Sequence, residues 1–155
     1  MIEANTPIRL SATDPAYQGL GSFFDAHGYG RFIAAEFSKQ FSHHSYQAVV
    51  IQKSDIQGAL LFRLTGADCE IIEIAVAPAA RRQNLARLMM DDCVKSAIEA
   101  KVERLILEVA EHNAPAKAFY QNYGFTPVGR RPRYYRDEAG ASIDAIIMEF
   151  WLSKA

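Results

Sequence analysis

Ile71-Ile72-Glu73-Ile74-Ala75-Val76-Ala77-Pro78, then Arg81-Arg82-Gln83-Asn84-Leu85-Ala86-Arg87, then Leu105-Ile106-Leu107-Glu108-Val109: between Ile71 and Phe125 the chain reads strand, turn, basic loop, helix, strand, helix. The first turn of a helix leaves backbone N–H groups unpaired, and its dipole favours negative charge, so the Arg81–Arg87 loop is a candidate anion cradle. The plain alternative is a solvated basic loop ahead of an amphipathic helix. The lone carboxyl of Glu108 interrupts an apolar run. A phosphate cradle and an isolated buried acid in one compact unit point to an enzyme that holds a phosphorylated cofactor and moves a proton.

Working outward, residues 85–100 carry a helical period. Leu85, Met89, Met90, Cys93, Val94 and Ala97 share one half, and Arg87, Asp91, Lys95 and Glu99 the other. The run 105–109 is short and nearly all apolar, as a strand covered on both faces should be. Asn113 is a capping residue for a short helix through Tyr123, and Gly124 suits its C-terminal stop. Upstream, residues 46–52, 56–64 and 69–76 read as three strands, with Lys53-Ser54-Asp55 as a hairpin loop and Pro78 ending the third. Thr13-Asp14-Pro15 predicts a helix start, the helix reaching about His27 before Gly28-Tyr29-Gly30 breaks it. A second helix is expected from Arg31 to Phe41. The tail predicts a hairpin, roughly 126–136 and 142–152, turning at Asp137-Glu138-Ala139-Gly140. The fold class is therefore α/β, a central mixed sheet with helices on both faces, in which the helical crossover makes its flanking strands parallel. One domain over residues 1–155 is expected, with a core at about 69–125 and a C-terminal hairpin at about 126–152.

With 50% hydrophobic and 23% charged residues the chain resembles ordinary globular proteins, and 155 residues suffice for a real core. The net charge of −1 gives no global field to gather nucleic acid or membrane, and no apolar run approaches the roughly 20 residues that span a bilayer. The N-terminus lacks the regions of a signal peptide, so Cys69 and Cys93 are read as buried thiols and the cytoplasm as the compartment. His27, His43, His44 and His112 show no ligand spacing with acids or cysteines, so no metal is expected.

On an alternating strand Glu108 shares its face with Ile106 and Ala110, opposite Leu105, Leu107 and Val109. An acid there is a general-base candidate if it borders a cleft, and a structural ion pair or strand-end charge if it does not. Glu73 has the same character and rivals it. Tyr120, on the helix after the Glu108 strand, is a candidate proton donor, or simply core beside Phe119. The arginines at 130, 131, 133 and 136, with Tyr134 and Tyr135, form either a grip for an acidic peptide or RNA or, preferred here, a solvated hairpin beside the cleft.

These residues together resemble the GNAT superfamily of acetyl-CoA-dependent N-acetyltransferases, over roughly 71–148. Ile74-Ala75-Val76-Ala77-Pro78 followed by Arg81-Arg82-Gln83-Asn84-Leu85-Ala86 is similar to that superfamily's pyrophosphate motif, R/Q-x-x-G-x-G/A. Leu107-Glu108-Val109, Asn113, Ala116, Phe119-Tyr120, Gly124-Phe125, Gly129-Arg130-Arg131, Tyr134-Tyr135 and Asp144-Ala145-Ile146-Ile147-Met148 resemble a narrower group, the bacterial ribosomal-protein alanine N-acetyltransferases. Departures stand out: Asn84 for the motif glycine, Ala110 and His112 for the expected arginine and serine, and no Pro-Trp signature in the N-terminal helices. Asparagine tolerates left-handed backbone, so the loop should survive its substitution.

The resemblance implies acetyl-CoA as acetyl donor, with Ile74, Ala75 and Val76 along its pantetheine arm and a backbone N–H near Val76 polarising the thioester carbonyl. It implies Arg82, Gln83, Asn84, Leu85, Ala86 and Arg87 around the diphosphate, and Asn113 bonded to the arm. Glu108 would take the proton of the acceptor ammonium, and Tyr120 would protonate the departing thiolate. Tyr134 and Tyr135 would line the acceptor slot. The implied acceptor is a protein N-terminus, an alanine of a ribosomal protein. The alternatives are a polyamine, amino acid or antibiotic acceptor, or a non-catalytic acyl-CoA-binding module, against which the retention of both Glu108 and Tyr120 argues.

Overall fold

The computed structural model describes residues 5–28, 36–137 and 139–152. Seven strands form one sheet: β1 (Ile8–Ser11), β2 (Tyr46–Gln52), β3 (Ile56–Thr65), β4 (Asp68–Val76), β5 (Arg104–Ala110), β6 (Thr126–Arg136) and β7 (Ser142–Trp151). Their order is β1-β2-β3-β4-β5-β7-β6, antiparallel throughout except for the parallel pair β4–β5. That exception follows from the crossover through the long helix, as predicted.

The helices are α1 (Pro15–Gln18), α2 (Leu20–His27), α3 (Phe37–Gln40), α4 (Leu85–Glu99) and α5 (Ala114–Tyr123). Helices α4 and α5 cover one face. Met89, Met90, Cys93 and Ala97 of α4 pack there with Val49, Leu60, Phe62, Leu105 and Leu107 of the strands. The other face is covered by α1, α2 and α3, where Tyr17, Leu20, Phe24 and Phe37 pack on Ala48, Val50, Ala59 and Leu61. The central strands therefore feed two cores by their own alternation, and β5 lies inside the sheet between β4 and β7. Cys69 and Cys93 are buried and unlinked, with their sulfurs 3.9 Å apart. Among the described residues no helix is long and apolar enough to cross a membrane.

The N-terminal region departs from expectation. Strand β1 has no counterpart in the sequence reading; it is four residues long and takes its order from antiparallel pairing with β2. The helix predicted from Thr13 to His27 is divided at Gly19 into α1 and α2. Asp14 stands at the N-cap of α1 but makes no side-chain capping bond there; its carboxylate accepts instead from the N–H and the hydroxyl of Ser11, at the end of β1. Of the helix predicted over Arg31–Phe41, Phe37–Gln40 is helical, while residues 29–35, including Tyr29 and Gly30 of the expected break, lie outside the described residues.

Candidate functional site

Strands β4 and β5 pair only from Asp68 opposite Arg104 to Ile71 opposite Leu107. Beyond that point β4 bulges. Leu61 of β3 faces Glu73 and Phe62 faces Ile71, so Ile72 is the extra residue. A bulge bends its strand and increases the local twist, and here it carries β4 away from β5. The opening is a cleft of about 70 Å³ lined by Glu73, Ile74, Glu108, Ala110, Asn113, Tyr120 and Tyr135 among others. The bulge also shifts the alternation: Ile71 and Ile74 pack toward α4, whereas Ile72 and Ala75 pack toward the N-terminal helices. Past the bulge, the edge of β4 that faces the cleft has no strand partner among the described residues. The N–H of Ile74 bonds Glu73 Oε1 at 3.2 Å, and that of Ala77 points the other way, to the carbonyl of Gln57 in β3. By alternation the Val76 N–H points into the opening.

Glu108 projects from β5 on the face opposite the buried Leu107 and Val109, as its position in the strand predicts. It is not the isolated buried acid expected. Its side chain is 23% exposed, and Arg131 Nη1 lies 3.2 Å from Oε1 and 3.4 Å from Oε2. The partner comes from β6, the outer strand of the sheet, which no local pattern around Glu108 announces. Strand β6 is itself deformed: Arg131 pairs with Ala145 and Tyr135 with Ile143, so Pro132, Arg133 and Tyr134 bulge opposite Asp144 alone. Arg133, in left-handed backbone at φ 56°, donates its N–H to Asp144 Oδ1 at 3.0 Å. That bond is the main reason the Asp144 carboxyl sits below its ordinary range, Arg130 adding to it. The bulge sends Tyr134 outward under the Arg131 guanidinium, 4.9 Å from ring centre, and Tyr135 inward, where its hydroxyl donates to the Glu108 carbonyl at 3.2 Å. A second cavity of about 130 Å³, lined by Gln40, Phe41, Glu70, Ile72, Glu108 and Tyr134, opens on the side of the N-terminal helices. Glu108 lines both cavities; Glu73 lines the first.

Tyr120 enters the first cleft from α5 and is 6% exposed. Burial, with the negative charge of Glu73 and then Tyr135 adding, pushes its hydroxyl well above the usual phenol range, so it keeps its proton at neutral pH. Asn113 caps α5 as predicted, Oδ1 accepting from the Ala116 N–H at 3.3 Å, and its side chain borders the same cleft.

The basic loop forms a separate, more open cavity of about 470 Å³ lined by Val76, Ala80, Arg81, Arg82, Asn84, Leu85, Ala86, Arg87 and Phe119. Arg82 and Asn84 both hold left-handed backbone at φ 63°. Asn84 is the N-cap of α4, and its side chain makes no capping bond. The N–H groups of Leu85, Ala86 and Arg87 are thus left by the helix and unclaimed by the cap, which fits a diphosphate. Asn84 holds the left-handed conformation anticipated for it.

The Ala75 side chain is buried among the N-terminal helices, so only its backbone is presented at the free edge of β4. Gln83 is exposed, as are Arg81, Arg82 and Asn84, but unlike them it does not line the cavity. The residues that went unrecognised are Arg131 as the partner of Glu108, Glu70 in the second cavity and Phe119 beside the cradle. All three owe their place to contacts far along the chain; the only advance signal was the arginine-tyrosine cluster, read as solvated.

The sequence profile of the family described as Acetyltransferase (GNAT) family matches residues 22–125. The ribosomal protein bS18-alanine N-acetyltransferase of Escherichia coli strain K12 is 35% identical over 86 residues, 56% of this chain and 57% of that one. A Bacillus subtilis strain 168 relative with the corresponding name is 37% identical over 81 residues, 52% of either chain. The chain therefore spans about half the length of the curated relatives it matches. In three dimensions, the crystal structure of the Escherichia coli enzyme of that name superposes with a TM-score of 0.82 at 22% identity, covering 97% of this chain and 96% of that one. Arabidopsis thaliana NAA60 in complex with acetyl-CoA gives 0.78 at 15% identity, over 95% and 99%. At these identities the likeness is one of fold.

Proposed function

Because the chain belongs to the acetyltransferase (GNAT) family, we propose that it transfers the acetyl group of acetyl-CoA to a primary amine, the N-terminal alanine amine of a ribosomal protein. The observation that carries this reading is the position of Glu108 between two cavities, one continuous with the free edge of β4 and one on the side of the N-terminal helices. The names of the bacterial relatives support the acceptor class. The expected compartment is the cytoplasm.

Acetyl-CoA supplies the acetyl group as a thioester, whose carbon the amine attacks. The N–H groups of Leu85, Ala86 and Arg87, with the Arg82 and Arg87 side chains, would hold its diphosphate, and Ile74, Ala75, Val76 and Asn113 would border its arm. The Val76 N–H would be the donor that polarises the thioester carbonyl. Glu108 takes the ammonium proton; it is preferred over Glu73 because it alone of the two borders both cavities. Tyr120 Oη holds the proton needed on the leaving side, kept there by burial. Tyr135 fixes the Glu108 backbone, and Tyr134 lines the acceptor cavity. An α-amine has a pKa near 8 against about 10.4 for lysine, so a carboxylate base at neutral pH favours chain termini.

The test is mass spectrometry of an Ala-initiated ribosomal peptide incubated with acetyl-CoA, beside the same peptide blocked at its terminus and a panel of small amines. Acetylation of the free terminus alone is expected. A small amine with a higher kcat/KM than every peptide would refute the peptide acceptor.

A further inference from the structure

We propose that Arg131 is a removable counter-ion for Glu108, its guanidinium holding the carboxylate until the acceptor's ammonium takes its place. The inference rests on reading this cleft as an acetyl-acceptor site. A carboxylate in a cavity wall at 23% exposure is costly to leave unpaired, and Arg131 satisfies it at 3.2 Å. An incoming ammonium needs that same carboxylate, and two cations on one acid repel. The acceptor therefore enters by exchange, one cation leaving as the other arrives, with no net change of charge.

Arg131 is built to leave. Its side chain is 54% exposed and, among the described residues, its ion pair is with Glu108. The neighbouring Arg130 shows the contrast: it is held by Glu111 at 2.8 Å and Asp144 at 2.9 Å. Asp144 also anchors the Arg133 N–H, so the strand beside Arg131 stays fixed while its head group moves. The Tyr134 ring, 4.9 Å from the guanidinium, is a second resting place for the departing charge, and the same ring lines the acceptor-side cavity. Arg131 is thus a positioning residue: it keeps Glu108 aimed into the opening when no acceptor is there, and it sets how strongly an acceptor cation must compete to enter.

Arg131→Gln and Arg131→Lys, compared with the wild type on an Ala-initiated peptide and acetyl-CoA, test this. Gln removes the competing cation, so the acceptor KM should fall roughly 3- to 5-fold, the size of a half-screened ion pair, with the acetyl-CoA KM held within about twofold. Lys restores the cation and should return the acceptor KM toward the wild-type value. A rise in acceptor KM for Arg131→Gln, or equal effects of Gln and Lys, overturns the exchange. Melting of the free protein checks the counter-ion without turnover: Arg131→Gln should lower Tm by roughly 2 °C in the wild type and by clearly less in a Glu108→Gln background, where only the Tyr134 ring contact is lost. Additive losses overturn it. A wild type that acetylates no amine removes the acetyl-transfer reading, and the exchange with it, whereas an active wild type with the wrong KM shift removes the exchange alone.

Discussion

Asn84 stands at φ 63°, ψ 24° at the head of α4, where its side chain makes no capping bond. Replacing it with glycine removes the Cβ from a left-handed residue, a conformation that costs an L-residue about 1–2 kcal/mol and asparagine less. Against this, glycine loses about 0.5–1 kcal/mol more backbone entropy on folding, and no capping bond is lost because Asn84 makes none. The terms nearly cancel, so Asn84→Gly should leave Tm within about 2 °C, at roughly 2–4 °C per kcal/mol for a chain of this size. Asn84→Val has no such relief. A β-branched residue bears the full left-handed cost, lowering Tm by roughly 3–6 °C, and it distorts the first-turn N–H groups of α4 proposed to hold the diphosphate. The assay is thermal melting with and without acetyl-CoA. At about 100 times its dissociation constant the ligand should add roughly 2.7 kcal/mol, a rise of about 5–10 °C that Asn84→Gly keeps and Asn84→Val loses in part. A tenfold weaker affinity for Asn84→Gly would show that the asparagine side chain is itself a ligand and that the backbone account of the cradle is wrong.

Glu108→Gln should lower turnover by roughly 10²- to 10⁴-fold with acetyl-CoA affinity retained, and Glu73→Gln by much less; the reverse ranking in steady-state kinetics would move the base to β4. Tyr120→Phe should also reduce kcat within that range. Because burial raises the Tyr120 pKa above the value near 10 of an exposed phenol, its contribution to stability is complete below about pH 10 and is lost as pH rises beyond it. Melting from about pH 8 to pH 11 should accordingly show Tyr120→Phe gaining on the wild type at the alkaline end, and parallel curves would contradict the assignment. Gly124→Ala should destabilise by about 2 kcal/mol or more, read from denaturant midpoints, since Gly124 has φ 126° and an added Cβ would meet the Phe150 ring at 2.8 Å.

Wherever the order of elements depended on neighbours in the chain, it was legible in the residues. Helix α4 followed from the apolar positions at 85, 89, 90, 93 and 97, and α5 from Asn113 and Gly124; the parallel pairing of β4 with β5 followed from the crossover between them. The left-handed turn at Asn84 and the face of β5 that Glu108 takes were also local, since each depends on one residue's stereochemistry or on strand alternation. The unpaired donors at the head of α4 are legible in the residues alone for the same reason: a helix N-terminus carries them wherever it lies.

The cleft itself needed the tertiary structure. It exists because β4 bulges at Ile72 against β3 while its other edge leaves β5, and a bulge is decided by the competition of two partners for one strand. The same holds for Glu108. Alternation put it on the right face, but its burial and charge balance came from Arg131, delivered by a deformation of β6 opposite Asp144. Strand β1 and the break at Gly19 were missed because short elements owe their form to what they pack on rather than to their own propensity. Periodicity and caps act over a few residues and are written in the sequence; the partner of a half-buried charge is chosen across the sheet, where only packing can specify it.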